Sequence, residues 1–227
     1  MFHVPGPLIF LTALSAEAAA VRRGVSGPTG VRVGAVGIRC NRGIDQKLLD
    51  GAGLVIVAGL AGALDPDLAI GDIVLDDPAG LVPDRPLWRR GTILSVDQLV
   101  ATSDVKTGLL RQTGAIAVDM ETKLVRQRTD VPVIGLRAIS DRACDPVEPV
   151  VMSLVNDLGR PRPIMIARTL IRRPRLIGHL RRLQKDTNLA LSRLELAVAG
   201  LLDAFARPAS GLEEKAEPIG SASDIFH

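Results

Sequence analysis

Three apolar runs constrain this chain more than any other feature, because their apolar side chains fall on consecutive positions. They are PLIFLTAL (7–14), LVIVAGL (54–60) and VPVIGLRA (131–138). A short continuous run of this kind is what a strand covered on both faces requires, and such coverage comes from helices packed on either side of a sheet. The first run lies in MFHVPGPLIFLTALSAE, has no basic residue before it, and is shorter than the roughly 20 residues of a bilayer span. It therefore reads as a buried first strand. Aromatics make up 2% of the 227 residues, with no Tyr and a single Trp88, so the core must be built from Val, Leu, Ile and Ala. A chain of this length buries one substantial core, and strands recurring with short helices place it in the α/β class as one main domain.

Taken in order, Ser15-Ala16-Glu17 opens an Ala-rich helix to about Arg23, and Val31 to Val36 is a second strand. A helix ending near Asp50 precedes the third strand. Further strands are expected over 70–75, 91–96 and 115–118, with a helix capped at Thr102 or Ser103 and running through Gln112. A helix over 146–158 would start at Pro146, and another is expected over 186–205. The resulting division is a catalytic core at 1–158, a basic amphipathic helical extension at 159–206 packing on the same domain, and a disordered tail at 207–227.

Residues 115–145 carry the chemistry. One apolar strand runs into Asp119-Met120-Glu121, and the next ends on Ser140-Asp141. Ligands of open α/β sheets bind outside the carboxyl ends of the strands, which brings Glu121 and Asp141 to one crevice. Two carboxylates there invite a division of labour, one ionised and holding hydroxyls, the other neutral and donating a proton. Taken singly, each has a plainer explanation. Glu121 is an acid in a first helical turn, Asp141 a turn residue after a strand, and Glu17 an ordinary early-helix acid. Gly59 and Gly62 permit close approach to the backbone, but the surrounding sequence is neither a dinucleotide fingerprint nor a P-loop.

Cys40 and Cys144 have no metal-like spacing and only three histidines accompany them, so the sequence supports neither a disulfide framework nor a metal site. A reducing cytoplasm is the expected location. The net charge of +3 is concentrated toward the C-terminus, where residues 160–185 hold nine basic residues and no acid, interleaved with Ile and Leu. Such a segment suits the inner face of an anionic membrane, a solvated helix face or a subunit contact. The scarcity of aromatics argues against a stacking platform for nucleic acid.

The stretches LIFLTALSAEAAAV, VIVAGLAGALDPDLAIGDIVLDD, AVDMETKLV and VPVIGLRAISDRA, in this order over about the first 145 residues, resemble the purine nucleoside phosphorylase and methylthioadenosine nucleosidase superfamily. The resemblance implies a three-layer sandwich, a twisted mixed central sheet flanked by helices, that cleaves the N-glycosidic bond of a nucleoside without a cofactor. It also implies a homo-oligomer, a dimer first. By position in the matching motifs, Asp141 would protonate N7 of the purine and Glu17 would activate water. Met120 and Glu121 would hold the ribose, with Asp119 and Ser140 beside the substrate. Leu60, Ala61 and Gly62 would line the sugar and base, and Leu99 and Val100 would stand where nucleosidases place an aromatic against the base.

Phosphorylases of this superfamily carry arginines after the first strand and near the third-strand loop, and TALSAEAAA and AGLAGAL have none. That favours water as nucleophile, with Arg39, Arg42 and Arg137 as the residues able to supply a phosphate site instead. Asp76 to Gly91 is shorter than the matching region of the methylthioadenosine enzymes, which leaves the 5′ side open. The segment GRPRPIMIARTLIRRPRLIGHLRRL resembles the C-terminal part of the hopanoid-associated phosphorylases, which act on adenosylhopane. The resemblance thus implies release of adenine from a nucleoside with a triterpenoid 5′ substituent. The alternatives are a nucleosidase for small adenosyl thioethers, a phosphorolytic enzyme, and an inactive nucleoside-binding protein.

Overall fold

The computed structural model describes residues 6–25, 30–148, 150–156, 160–174 and 176–206. The expected tail at 207–227 lies outside the described residues. In chain order the elements are β1 (Leu8–Thr12), α1 (Ser15–Gly24), β2 (Val31–Ala35), a 3-10 turn (Ile38–Cys40), α2 (Gln46–Leu49), β3 (Leu54–Ala63), β4 (Ile73–Asp76), β5 (Arg89–Arg90), β6 (Ile93–Ser95), α3 (Ser103–Thr113), β7 (Ala117–Asp119), α4 (Thr122–Arg126), β8 (Val133–Asp141), α5 (Val150–Ser153), α6 (Pro163–Arg172) and α7 (Leu176–Ala206).

The strands form one eight-stranded mixed sheet in the order β2-β1-β3-β8-β4-β5, with β7 joining β3 and β6 joining β7. The three apolar runs are its adjacent centre, β1, β3 and β8. Their consecutive apolar residues feed two cores. Phe10, Leu54, Ile56, Leu136 and Ala138 face α1 and α7, whereas Ile9, Leu11, Val55 and Val57 face Val36, Cys40, Leu49 and Val125 on the other side. Each large side chain so buried contributes about 1.5–3 kcal/mol relative to exposure, which is how a core almost without aromatics is held. Helix α7 presents Ala190, Leu194, Ala197, Val198, Leu201 and Ala204 along one face, all buried in the first of these cores.

Several expected elements differ. Of the helix expected over 146–158 the described residues hold only α5, residues 146–148 have no regular structure, and 149, 157 and 158 lie outside the described residues. Pro149 falls inside the expected span, where it has no amide to donate and disfavours helical backbone at the residue before it. The helix expected over 186–205 begins at Leu176, just after Pro174, so the basic segment is divided between α6 and the first turns of α7. The stretch before Asp50 holds only α2, four residues capped by Asp45 through the Lys47 amide. β4 begins at Ile73 rather than 70, and β5 is added where Arg89 and Arg90 pair with Val74 and Leu75. None of the described helices is long and apolar enough to cross a membrane.

Candidate active site

The site grows from the way β3 changes partners. Along Leu54–Val57 it pairs with β1, along Val55–Gly62 with β8, and at Gly62 and Ala63 with β7 running antiparallel. Since β8 occupies one edge throughout, β1 and β7 share the other, and between Val57 and Gly62 that edge has no strand beside it. The backbone there must find other partners. The Leu60 amide finds Glu17, whose Oε1 accepts from it at 2.8 Å.

Asp141 ends β8 and Glu121 follows the end of β7 by two residues, and these two strands run in opposite directions along β3. β7 runs against β3 and β8 runs with it, and both reach the carboxyl-terminal end of the long β3, where Val118 and Asp141 flank Gly62. A bulge in β8 matters equally. Ala61 pairs with Ile139 but Gly62 with Asp141, so Ser140 is the extra residue, and a bulge re-aims the side chain that follows it. A Cβ on Gly62 would lie 2.9 Å from Asp141 Oδ2, so glycine is what lets the carboxylate lie against β3.

A cavity of about 190 Å³ opens at this place. Its wall contains Glu17, Leu60, Ala61, Gly62, Leu99, Val100, Asp119, Met120, Glu121, Ser140 and Asp141, the eleven residues singled out from the sequence, together with Ala13, Leu14, Ile38, Val96, Gln98 and Val118. No arginine or lysine stands among these described lining residues.

At one end Glu17 is buried. Its Oε2 accepts from the amides of Ala13 (3.0 Å) and Leu14 (2.8 Å), closing the start of α1, while Oε1 serves Leu60. Burial pushes its carboxyl up to about 7, opposed by the Arg137 guanidinium and reinforced by Glu121. Glu121 stands at the start of α4 but makes no side-chain capping bond. It accepts instead from the Arg39 amide at 3.0 Å and from Arg137 Nη2 at 3.3 Å, and burial raises its carboxyl too. The capping is done by Asp119, which accepts from the Thr122 amide at 3.1 Å. Burial alone would raise Asp119, yet Arg137, Ser95 and Thr122 together hold it below the usual carboxylate range. Its carboxylate is thus spent within the protein, on Arg137.

Arg137 is wholly buried on β8 and reaches Asp119, Glu121, Thr122 and the Leu60 carbonyl. It is not a phosphate-binding residue at the cavity surface; the charges of Asp119, Glu121 and Glu17 hold it beneath the wall. Arg39 and Arg42 do not line the cavity either. Gly59 is required here, because a Cβ would lie 2.4 Å from Arg137 Nη1 and 2.6 Å from Glu17 Oε1.

At the other end Asp141 has an unexpected neighbour. Lys106, completely buried on α3, donates to Asp141 Oδ2 at 2.5 Å, and Ser140 Oγ donates to Oδ1 at 3.0 Å. An ion pair thus stands at the acid that the resemblance assigns to proton donation. Nothing in SDVKTGLLRQT distinguishes Lys106 from an ordinary solvated lysine of a capped helix, which is why sequence reasoning passes over it. Arg137 is visible in the sequence as a cation, but only its burial shows that it serves the acids.

The site lies between β3, β7 and β8 and is walled by acids and aliphatic side chains, and its architecture has counterparts in known proteins. A sequence model of the Phosphorylase superfamily matches residues 80–170. The backbone is similar to that of the futalosine hydrolase of Helicobacter pylori, with a TM-score of 0.55 and 17% identity over 90% of this chain and 98% of that one. It is similar as well to the 5′-methylthioadenosine/S-adenosylhomocysteine nucleosidase of Helicobacter pylori (0.56, 17% identity, 90% and 99% covered). A third similar structure is the 5′-methylthioadenosine nucleosidase of Arabidopsis thaliana (0.55, 15%, 88% and 96%). Among curated proteins, none matches this chain. The fold is that of the nucleoside phosphorylases and nucleosidases.

Proposed function

We propose that this protein is a nucleosidase that releases adenine from a nucleoside with a hydrophobic 5′ substituent, adenosylhopane being the substrate that the sequence resemblance favours. The observation that carries the reading is the convergence of Glu17, Glu121 and Asp141 on one cavity whose described lining has no cation to bind phosphate. In the reaction, Asp141 gives a proton to N7 as the C1′–N9 bond breaks and its electron pair moves onto the base. A water molecule bonds to C1′ while Glu17 takes its proton, and the products are adenine and a sugar with a free C1′ hydroxyl. The sugar passes through an oxocarbenium-like state as in glycoside hydrolysis. Glu121 accepts from the ribose hydroxyls, Met120 packs beneath the sugar, and Leu99 and Val100 contact the base. Asp119 acts through Arg137, and Ser140 through Asp141.

The hydrophobic substituent is supported by the walls and the rim. None of the residues 76–91 lines the cavity; they fold instead toward α7, with Arg85 Nη1 3.2 Å from Asp203. The basic segment starts at the rim, where Arg160 Nε lies 3.4 Å from Ser15 Oγ, next to the wall residue Leu14. On α6, Ile164 and Ile171 are 81% and 83% exposed, two turns apart on one face, with Arg168 and Arg172 on the same exposed helix. That combination suits an anionic membrane surface, where each basic residue contributes on the order of 1 kcal/mol. The second reading, a nucleosidase for small adenosyl thioethers, draws on the methylthioadenosine nucleosidases that share the fold.

Adenine release from methylthioadenosine and from adenosylhopane, with and without phosphate, decides among them. The expected result is faster release from adenosylhopane, unchanged by phosphate. Sugar 1-phosphate in the products overturns hydrolysis, and no adenine from either substrate overturns the nucleosidase reading. Replacing Arg172, Arg173, Arg181 and Arg182 by Gln should weaken sedimentation with anionic liposomes and slow cleavage of the lipid nucleoside alone. Equal loss on a water-soluble nucleoside removes the membrane from the account.

A further inference from the structure

Lys106 makes contacts that a merely buried lysine does not need. A lysine ammonium has three donors and no acceptor, and here all three are used: Asp141 Oδ2 at 2.5 Å, the Arg142 carbonyl at 2.6 Å and the Asp145 carbonyl at 3.2 Å. The side chain is 1% exposed, against 19% for its partner. It comes from the first turns of α3, whose start is fixed by Thr102 through the Val105 amide. The ammonium thus ties β8's last residue and the loop after it to a capped helix.

We propose that Lys106 is the positioning residue for the leaving-group acid, deciding which oxygen of Asp141 carries the proton and stabilising the carboxylate left when that proton departs. The proposal rests on Asp141 being the acid. Because Lys106 can only donate, Oδ2 must remain an acceptor in both protonation states, and the transferable proton is confined to Oδ1. Ser140 allows this. Its Oγ is 3.0 Å from Oδ1 and 3.3 Å from the Ala61 carbonyl, so its hydrogen turns to Ala61 while Oδ1 is protonated and returns to Oδ1 afterwards. In the transfer, the O–H electron pair stays on Oδ1 and the proton goes to N7. The negative charge that appears on the carboxylate faces an ammonium already in place, which needs no reorganisation at that moment.

The test is a cycle of Lys106→Met, Asp141→Asn and the double variant, assayed by adenine release, with Lys106→Arg alongside. Loss of a preorganised charge lowers kcat on the order of 10²-fold, so Lys106→Met should show that loss with KM little changed. If Lys106 acts through Asp141, the double variant is no slower than Asp141→Asn alone. Lys106→Arg, which keeps a cation in the same place, should recover much of the rate whether or not Lys106→Met folds well. Multiplying losses in the double variant, or Lys106→Arg as slow as Asp141→Asn in a protein with a normal melting temperature, overturns the proposal. Wild-type turnover by Lys106→Met overturns it too, leaving Asp141's role intact. Wild-type turnover by Asp141→Asn overturns instead the reading beneath it.

Discussion

At one end of the cavity Glu17, Glu121 and Asp119 surround a single guanidinium, Arg137, and all four residues are buried. At the other, Asp141 has an ammonium to itself and keeps a fifth of its side chain open. Three carboxylates around one cation in a dry setting resist being ionised together. Asp119, with the best partners, takes the charge, and the group left nearest neutrality is Glu17, at about 7. One end can therefore take up a proton near neutral pH, while at the other a single carboxylate faces the Lys106 ammonium. The two ends differ in how many carboxylates share one cation, three on Arg137 and one on Lys106.

Breaking the Asp141 end should have the largest effect. Asp141→Asn keeps the side chain's size and its bond from Lys106 but has no acidic proton, and general acid catalysis is worth about 10²- to 10⁴-fold. The expected outcome is a loss of that order in kcat for adenine release, with a melting temperature close to wild type. A variant that retains near wild-type turnover takes Asp141 out of the mechanism.

Much of this site is legible in the sequence. Glu17, Glu121 and Asp141 can be named because apolar strands ending on acids are visible in one dimension, and Met120 is named from the resemblance of its motif. What cannot be read there is pairing. That β7 runs antiparallel, that Ser140 is a bulge, and that Arg137 and Lys106 turn inward depend on contacts 16 to 79 residues apart, from the bond of Arg137 to Glu121 to that of Ser140 to the Ala61 carbonyl. The helix misplaced at 146–158 has another cause: local pattern suggests it, and Pro149 outweighs the pattern. α7 is longer than expected because its first turns belong to the basic segment that the sequence sets apart, and apart from Leu176 its buried residues lie in the later turns.

Glu17→Gln tests the opposite end. Its loss should be smaller, about 10²-fold, because an oxocarbenium-like centre accepts a weak nucleophile and depends less on the base than on the acid. In the wild type, kcat/KM should rise with pH through about 7 as Glu17 ionises. The rise should vanish in the variant, and a limb that persists unchanged would assign it to another group. Glu121→Gln comes next. It weakens charge-assisted bonds to ribose worth roughly 1.5–3 kcal/mol, so KM should increase about tenfold or more, with a smaller fall in kcat. An altered melting temperature with unaltered kinetics would make Glu121 a structural acid alone.

The smallest effect is on stability, and it separates the two ends without any substrate. Glu17's folded value, about 7, lies above its ordinary 4.5. Between those values the unfolded chain has released this proton while the folded protein keeps it, so the folded state binds more protons and stability falls as pH rises. Holding one extra proton across a whole pH unit corresponds to about 1.4 kcal/mol. The full window therefore amounts to at most a few kcal/mol, reduced by the sharing of charge with Arg137 and Glu121. Urea unfolding at pH 5, 6, 7 and 8 should show wild-type stability declining across this range, while Glu17→Gln, whose side chain does not titrate, is flatter and gains most at pH 8. Glu121, raised by the same burial, leaves a residual slope in that variant. The fall in stability and the rise in activity would then share one titration, the cost of keeping a base dry enough to work near neutrality. A wild-type protein whose stability climbs from pH 5 to 7, or a variant with an undiminished slope, would show that Arg137 neutralises this end after all and that the contrast with Asp141 is one of exposure, not of charge.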